Sequence, residues 1–290
     1  MPELPEAETI ARGLRAPVEG GTITGVSVLH ADLVEMEPAA LVRGITGAFI
    51  AAVGRRGKNV VLRLEGGDHL VVNLGMSGRL LWRPAGDPSP PPSHPGVVFR
   101  LRPAAQTSNP RAAPEGDLVY HDPRRFGRIR LLRQSAYRTW SRSLGPEPLS
   151  RGFTARRLAL ELARSRTPLR SWLLDQGKVA GVGNIYASEA CHVARLHPAL
   201  PASEVDAAGA RRLHRAIRRV LAEAVEGGGT TLRDYRTAQG WEGAYQHSLR
   251  VYGREGEPCP RCGRPVRRIV FSNRSAFYCP RCQPEPPNDG

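Results

Sequence analysis

The chain has 290 residues, enough for two modest domains or one domain with smaller modules. Its 42 Lys and Arg against 27 Asp and Glu give a net charge of +15, which favours a polyanionic partner, nucleic acid first. No apolar run reaches the ~18 residues of a membrane span, and the opening MPELPEAETIARG has no apolar signal core, so a cytoplasmic, nucleoid-associated protein without membrane contact is expected.

Residues 5–18 are predicted to be helical, because Ala7, Ile10, Ala11 and Leu14 recur at helical spacing behind Pro5. Short alternating or apolar runs follow at 60–64, 70–74, 97–101, 118–120 and 129–132, punctuated by glycine and proline. They predict a two-layer β-sandwich. The stretch 83–116 interrupts it with PSPPPSHP and PAAQTSNPRAAPEG around a strand at 97–102, and its Pro-rich parts read as mobile surface loops. From about Thr154 the pattern turns helical, with helices expected at 154–164, 169–175, 185–196 and 204–226. In the last of these, Ser203 and Asp206 have capping-box spacing, Leu213, Ile217, Val220, Leu221 and Ala224 line one face, and Gly227 ends the helix. The fold class is α+β with several domains: a catalytic β-sandwich with an N-terminal helix over 1–133, a linker at 134–152, a helical domain over 153–245, a zinc hairpin over 246–284 and a disordered tail at 285–290.

Cys259, Cys262, Cys279 and Cys282 have the spacing C-x2-C-x16-C-x2-C. Four thiolates close a tetrahedral Zn²⁺ site with no open position, so one structural zinc is expected, not a disulfide framework. The segment between the pairs, RRIVFSNRSAFY, predicts two strands with Arg274 near the tip, where an arginine reads equally as a solvated turn charge or as a phosphate contact. Gly181-Val182-Gly183-Asn184 lies between two apolar helical stretches. Asn184 then opens a helix whose free N–H groups favour a phosphate, although an ordinary N-cap needs nothing more.

The start itself carries chemistry. Removal of Met1 would leave Pro2 as a secondary α-amine, with a pKa of roughly 7.7–8.0 against roughly 10.4 for lysine. Such an amine is a neutral-pH nucleophile toward a sugar C1′, and its iminium adduct is an electron sink for elimination. Glu3 and Glu6 supply carboxyls for proton transfer. The same residues also suffice simply to start and cap a helix. Only two basic residues are lysines, Lys58 and Lys178; all the others are arginines, which marks Lys58 as a position where lysine itself is needed.

MPELPEAET, RRGKNV, LGMSG, DPRRFG, LGPEPLS, GVGNIYASE, GGTTLRDY, VYGREGEPC and NRSAFYC, in this order, resemble bacterial formamidopyrimidine-DNA glycosylases of the Fpg/Nei family. The resemblance runs from Met1 to about Cys282, with 83–116 poorly matched. It implies a β-sandwich, a helix–two-turn–helix domain and a zinc finger that bind double-stranded damaged DNA as a monomer. It implies Pro2 as nucleophile, Glu3 as the acid for base loss, Glu6 in support, and Lys58, Arg274 and Asn184 on the phosphates flanking the lesion. Met76, Arg124 and Phe126 match residues that fill the gap left by the flipped nucleotide, and Arg166 is added as a DNA contact. Where the family has histidine before LGMSG, this chain has Asn73, which puts the strength of that backbone contact in doubt. The implied activity is excision of oxidised purines with strand nicking by β,δ-elimination. An endonuclease VIII-like enzyme for oxidised pyrimidines is the alternative, and a lesion-binding protein without catalysis a third reading.

Overall fold

The computed structural model describes residues 2–103, 114–232, 235–271 and 273–285. The chain forms two compact units, Met1–Ser143 with Gly227–Gln246, and Leu144–Glu226 with His247–Gly290. No helix among the described residues is long and apolar enough to cross a membrane.

The first unit opens with α1 (Leu4–Val18), whose Pro5 lies in the first turn and whose Ala7, Ile10, Ala11, Leu14 and Val18 are buried. Burying Ile10, Leu14 and Val18 contributes about 1.5–3 kcal/mol each. Eight strands follow: β1 (Gly21–Val28), β2 (Ile50–Arg56), β3 (Asn59–Leu64), β4 (His69–Asn73), β5 (Arg79–Pro84), β6 (Pro95–Pro103), β7 (Gly116–His121) and β8 (Arg128–Leu132), with α2 (Pro38–Ile45) after β1. They form two antiparallel four-stranded sheets, ordered β1-β6-β7-β5 and β2-β3-β4-β8. The core joins α1 to both, through Ile23, Phe99 and Leu118 of one sheet and Leu62, Leu70 and Val72 of the other. The expected sandwich is present, with β1, β2, β5 and α2 added to the elements read from sequence.

The expected linker at 134–152 is not one irregular segment. Residues Gln134–Ser143 form a helix, α3, whose Tyr137 ring stacks on His69 at 3.7 Å and 1°. Arg56 adds hydrogen bonds to the Ser141 hydroxyl and carbonyl. Residues 227–246, assigned by sequence to the helical domain, pack with the first unit: Trp82 N–H donates to the Ala238 carbonyl at 3.0 Å. Part of PAAQTSNPRAAPEG, residues 104–113, lies outside the described residues, as do 286–290 of the tail; Glu285 accepts from the Tyr278 hydroxyl at 3.0 Å.

The second unit contains α4 (Ala155–Leu162), α5 (Leu169–Leu174), α6 (Asn184–Ala194), α7 (Ala207–Glu226) and the hairpin β9 (Arg267–Phe271) and β10 (Arg274–Tyr278). Helix α7 begins three residues later than expected. A single turn at Ala202–Glu204 precedes it, and Asp206 caps it by accepting from Gly209 N–H. Helix α6 is buried along nearly its whole length, including the polar Ser188, Glu189 and His192.

Burial holds His69 and His121 below the ordinary histidine pKa, with Arg63 near the first and Arg79 near the second adding to it. The unfolded chain therefore binds more protons than the folded one below pH ~6.5, so this stability is fully present above that value and is lost as pH falls. The thermal midpoint should be lower at pH 5.5 than at pH 7.5, and His69→Phe, which keeps an aromatic ring against Tyr137, should flatten the profile. An unchanged slope in that variant would mean that His69 does not contribute.

Candidate active site and metal centre

Pro2 is buried immediately before α1. Glu3 and Glu6 are each 1% exposed, and Glu6 reaches back so that its Oε2 accepts from Glu3 N–H at 2.7 Å. Its other oxygen, Oε1, accepts from Thr230 N–H, also at 2.7 Å. One carboxylate thus ties the start of the chain to a turn more than two hundred residues away. That turn needs glycine: Gly229 has φ +83° and a Cβ there would lie 3.1 Å from Glu6. The Tyr235 hydroxyl donates to the Gly228 carbonyl at 3.0 Å, and burial beside Glu6 pushes its pKa up, keeping it a donor.

Lys58 is half-buried in the two-residue turn between β2 and β3, where Gly57 supplies the positive φ of 59°. Arg55 fastens this turn to α1, donating to the Gly57 carbonyl at 2.8 Å and to Glu8 Oε2 at 3.0 Å. Burial opposes ionisation of Glu8, but Arg12 and Arg55 outweigh it and hold the carboxyl below the usual range. The other lysine, Lys178, pairs with Glu161 at 3.5 Å in the second unit. Asn73 has a local partner at each end of its amide: Nδ2 donates to Asn59 Oδ1 at 2.9 Å and Oδ1 accepts from Gly75 N–H at 3.0 Å. Its side chain braces the loop that carries Met76.

Met76 (42% exposed) and Phe126 (54% exposed) project from two loops that meet backbone to backbone. A Cβ on Gly75, which has φ +58°, would lie 2.5 Å from Gly127 N, so side chains there are excluded. Arg124 places its guanidinium over the Phe126 ring, 5.1 Å from the centroid. Beneath the loops Asp122, 2% exposed, accepts from Ser77 Oγ at 2.6 Å and Gly127 N–H at 2.8 Å, with the Tyr120 hydroxyl 3.2 Å away. Burial and Asp122 together push the Tyr120 pKa up, so the hydroxyl remains a donor. One buried carboxylate therefore fixes an apolar and cationic wedge assembled from both loops.

In the second unit Asn184 begins α6. The buried Arg170 donates to its Oδ1 from Nη2 at 2.6 Å and from Nε at 3.2 Å, while its Nδ2 donates to the Ser275 carbonyl at 2.9 Å. Asn184 thereby holds β10 beside Arg274, which is exposed at the first position of that strand. Farther along α6, Glu189 accepts three main-chain N–H groups, from Arg250, Val251 and Tyr252, each at 2.9 Å. Arg166 is exposed in the loop after α4, without a side-chain partner among the described residues. Arg55, Asp122, Arg170 and Glu189 were not singled out from sequence. Asp122 and Glu189 sit inside the quoted motifs DPRRFG and GVGNIYASE, which was the available signal.

The Sγ atoms of Cys259, Cys262, Cys279 and Cys282 all lie within 4.8 Å of one another. A tetrahedral zinc with Zn–S bonds of about 2.3 Å sets its sulfurs roughly 3.8 Å apart, so the donor set fits one structural zinc. Val251 and Val266 pack around the cysteines, a core too small to hold the hairpin without the metal. One zinc per chain is expected by elemental analysis, and Cys259→Ser should weaken DNA binding by displacing the hairpin that carries Arg274. Asp122→Ala, which strands the Ser77 hydroxyl and the Gly127 N–H and leaves the Tyr120 hydroxyl only the Asn73 carbonyl, should cost about 2–4 kcal/mol in chemical denaturation, and Asp122→Asn much less; equal losses would show that Asp122 is not the shared acceptor.

Three family models cover most of the chain: the formamidopyrimidine-DNA glycosylase N-terminal domain at residues 1–129, the formamidopyrimidine-DNA glycosylase H2TH domain at 144–236, and the zinc finger found in FPG and IleRS at 256–284. The formamidopyrimidine-DNA glycosylase of Thermus thermophilus is 45% identical over 99% of this chain and all of its own length, and that of Alkalilimnicola ehrlichii is 43% identical over 98% of this chain and all of its own. Among solved structures, the T. thermophilus MutM (Fpg) protein is 43% identical and superposes with a TM-score of 0.84 over 99% of this chain and all of that one. The Lactococcus lactis Fpg in complex with abasic-site DNA is 29% identical and gives 0.86, over 98% of this chain and all of that one. Matched along its length by the N-terminal, H2TH and zinc-finger models and by full-length relatives, the chain belongs to the formamidopyrimidine-DNA glycosylase family.

Proposed function

We propose that the chain is a bifunctional base-excision enzyme that removes oxidised purines, 8-oxoguanine and formamidopyrimidines, from double-stranded DNA and then nicks the strand. The observation that carries this reading is the buried Pro2-Glu3 start, locked through Glu6 to the turn at Gly229 and Thr230. The Pro2 nitrogen attacks C1′ as the base leaves with the electrons of its glycosidic bond. Glu3 gives a proton to the ring oxygen as the sugar opens. The iminium then acidifies C2′, whose proton loss expels the 3′ phosphate, and a second elimination expels the 5′ phosphate. With both oxygens held by N–H groups, Glu6 is a positioning carboxylate.

Met76, Arg124 and Phe126 would occupy the gap left by the extruded nucleotide, with Arg124 donating to the O2 and N3 acceptors of an orphan cytosine. Lys58 in the first unit and Asn184 and Arg274 in the second would hold phosphates, as would the exposed Arg166. Asn73 serves chiefly to position the Met76 loop. The loop at 228–240 resembles one that closes over a flipped purine, but the amides of Thr230 and Thr231 are already engaged, the second by Gln246 Oε1 at 3.1 Å. Recognition of the purine O6 therefore falls to amides farther along, of which 233 and 234 lie outside the described residues. In the cell this monomeric enzyme would work on the nucleoid. An L. lactis Fpg was also solved with DNA containing an oxidised pyrimidine, which makes that lesion a necessary arm of any test.

Borohydride should trap a covalent complex with abasic-site DNA at Pro2, located by peptide mapping; an adduct on Lys58 alone would remove the mechanism. Excision should be efficient from 8-oxoguanine opposite cytosine and poor opposite adenine, measured at one stated salt concentration. Efficient removal of thymine glycol with none of 8-oxoguanine would favour the pyrimidine-directed relative.

A further inference from the structure

Both zinc-binding turns have the same sequence, Cys-Pro-Arg-Cys, at 259–262 and 279–282. Arg261 and Arg281 therefore occupy the same place in each turn, and both are exposed. A third arginine joins them from α6: Arg195, Arg261 and Arg281, with Cys262 and Cys282, line one open depression of about 360 Å³. Arg281 also lines a second depression with Arg264 and Arg267.

Two features set this cluster apart from a solvated basic surface. Arg195, Arg261, Arg264 and Arg281 make no ion pair among the described residues, whereas nearby Arg250, Arg254 and Arg268 each have a carboxylate within 3.0 Å. Arg195 also ends α6 in the left-handed conformation, φ 59° and ψ 43°, where helices commonly end on glycine. A long side chain retained at a strained position points to a role for that side chain. Compensation of the metal centre does not account for it: zinc with four thiolates carries a net charge of −2, which two arginines offset. The cluster is also distinct from the hairpin tip. Arg274 pairs with Phe271 there, while Tyr278 pairs with Arg267 at the opposite end, four residues or roughly 13 Å along the strand.

We propose that the two zinc turns and Arg195 form a second phosphate-binding surface, which holds the backbone of undamaged duplex outside the lesion footprint. This rests on the DNA-directed reading above, and its partner is the phosphodiester backbone, recognised by charge and guanidinium geometry without base readout. Such a surface adds residence on DNA during the search without taking part in excision.

The test is the salt dependence of binding to an undamaged duplex of about thirty base pairs, where each neutralised phosphate contributes ~0.9 to the log–log slope. Arg195→Gln/Arg261→Gln/Arg281→Gln should make the slope shallower by about two to three. Its zinc content and its single-turnover excision of a saturating lesion duplex at low salt should stay unchanged. Arg195→Gly alone should raise the thermal midpoint, by relieving the backbone, while making the slope shallower by about one. An unchanged slope in the triple variant, or loss of zinc from it, would overturn the proposal and leave the arginines as compensators of the metal's charge. Failure of the parent protein to cleave any lesion duplex would instead remove the functional reading beneath it.

Discussion

A carboxyl group withdrawn from water must find hydrogen-bond partners, and three such groups in this chain accept from main-chain N–H groups, two of them far away in sequence. Glu6 holds Thr230, Asp122 holds Gly127 and with it the Ser77 loop, and Glu189 holds residues 250–252. Removing such an acceptor leaves buried N–H groups unmet. Each bond also fixes a backbone whose own sequence would not specify it: a diglycine turn, a loop with Arg125 at φ 54°, and an irregular lead-in to the zinc turns. Pro2 and the Met76, Arg124 and Phe126 loops belong to segments fixed in this way, so their placement depends on carboxyl groups that need not touch substrate, whereas Arg55 steadies the Lys58 turn and Asn184 the strand that carries Arg274.

This arrangement also sets what was legible in the sequence. Helix α1, the strands with aliphatic alternation and the α7 stripe were readable because local period and burial agree. Strands β1 (GTITGVSV) and β2 (IAAVGRR) were not, since glycine, alanine and arginine give no alternation and their pairing is set by neighbours across the sheet. Residues 134–143, QSAYRTWSRS, read as a linker because nothing in them is apolar enough to demand burial; the ring of His69 makes them an element. The candidate site was legible where a motif is compact, as at Pro2-Glu3 or the four cysteines. Arg55 and Arg170 stayed hidden because their meaning lies in partners on other elements, Glu8 and Asn184.

In the second unit one helix gathers several of these dependencies. Asn184 at the start of α6 orients β10, Glu189 receives the chain on its way to the first zinc turn, and His192 brings Nε2 to 3.4 Å from Cys259 Sγ. Burial, reinforced by Arg250, lowers the His192 pKa to about 4, so the ring is neutral. Of the polar side chains on this helix, Asn184, Glu189 and His192 reach toward the segment that carries the metal module, while the Ser188 hydroxyl donates back to the Asn184 carbonyl within the helix.

The near-absence of lysine has a consequence for covalent chemistry. Any primary amine can condense with the aldehyde of an opened abasic sugar, so an enzyme that works through such condensation risks unproductive adducts with its own surface. Guanidinium groups supply the same positive field but stay protonated and do not condense. Here the positive charge is almost all arginine, one of the two lysines lies in the turn fastened by Arg55, and the other is paired with Glu161. A basic coat of this composition would attract an aldehyde-bearing polymer while offering few amines to compete with the Pro2 proposed as nucleophile.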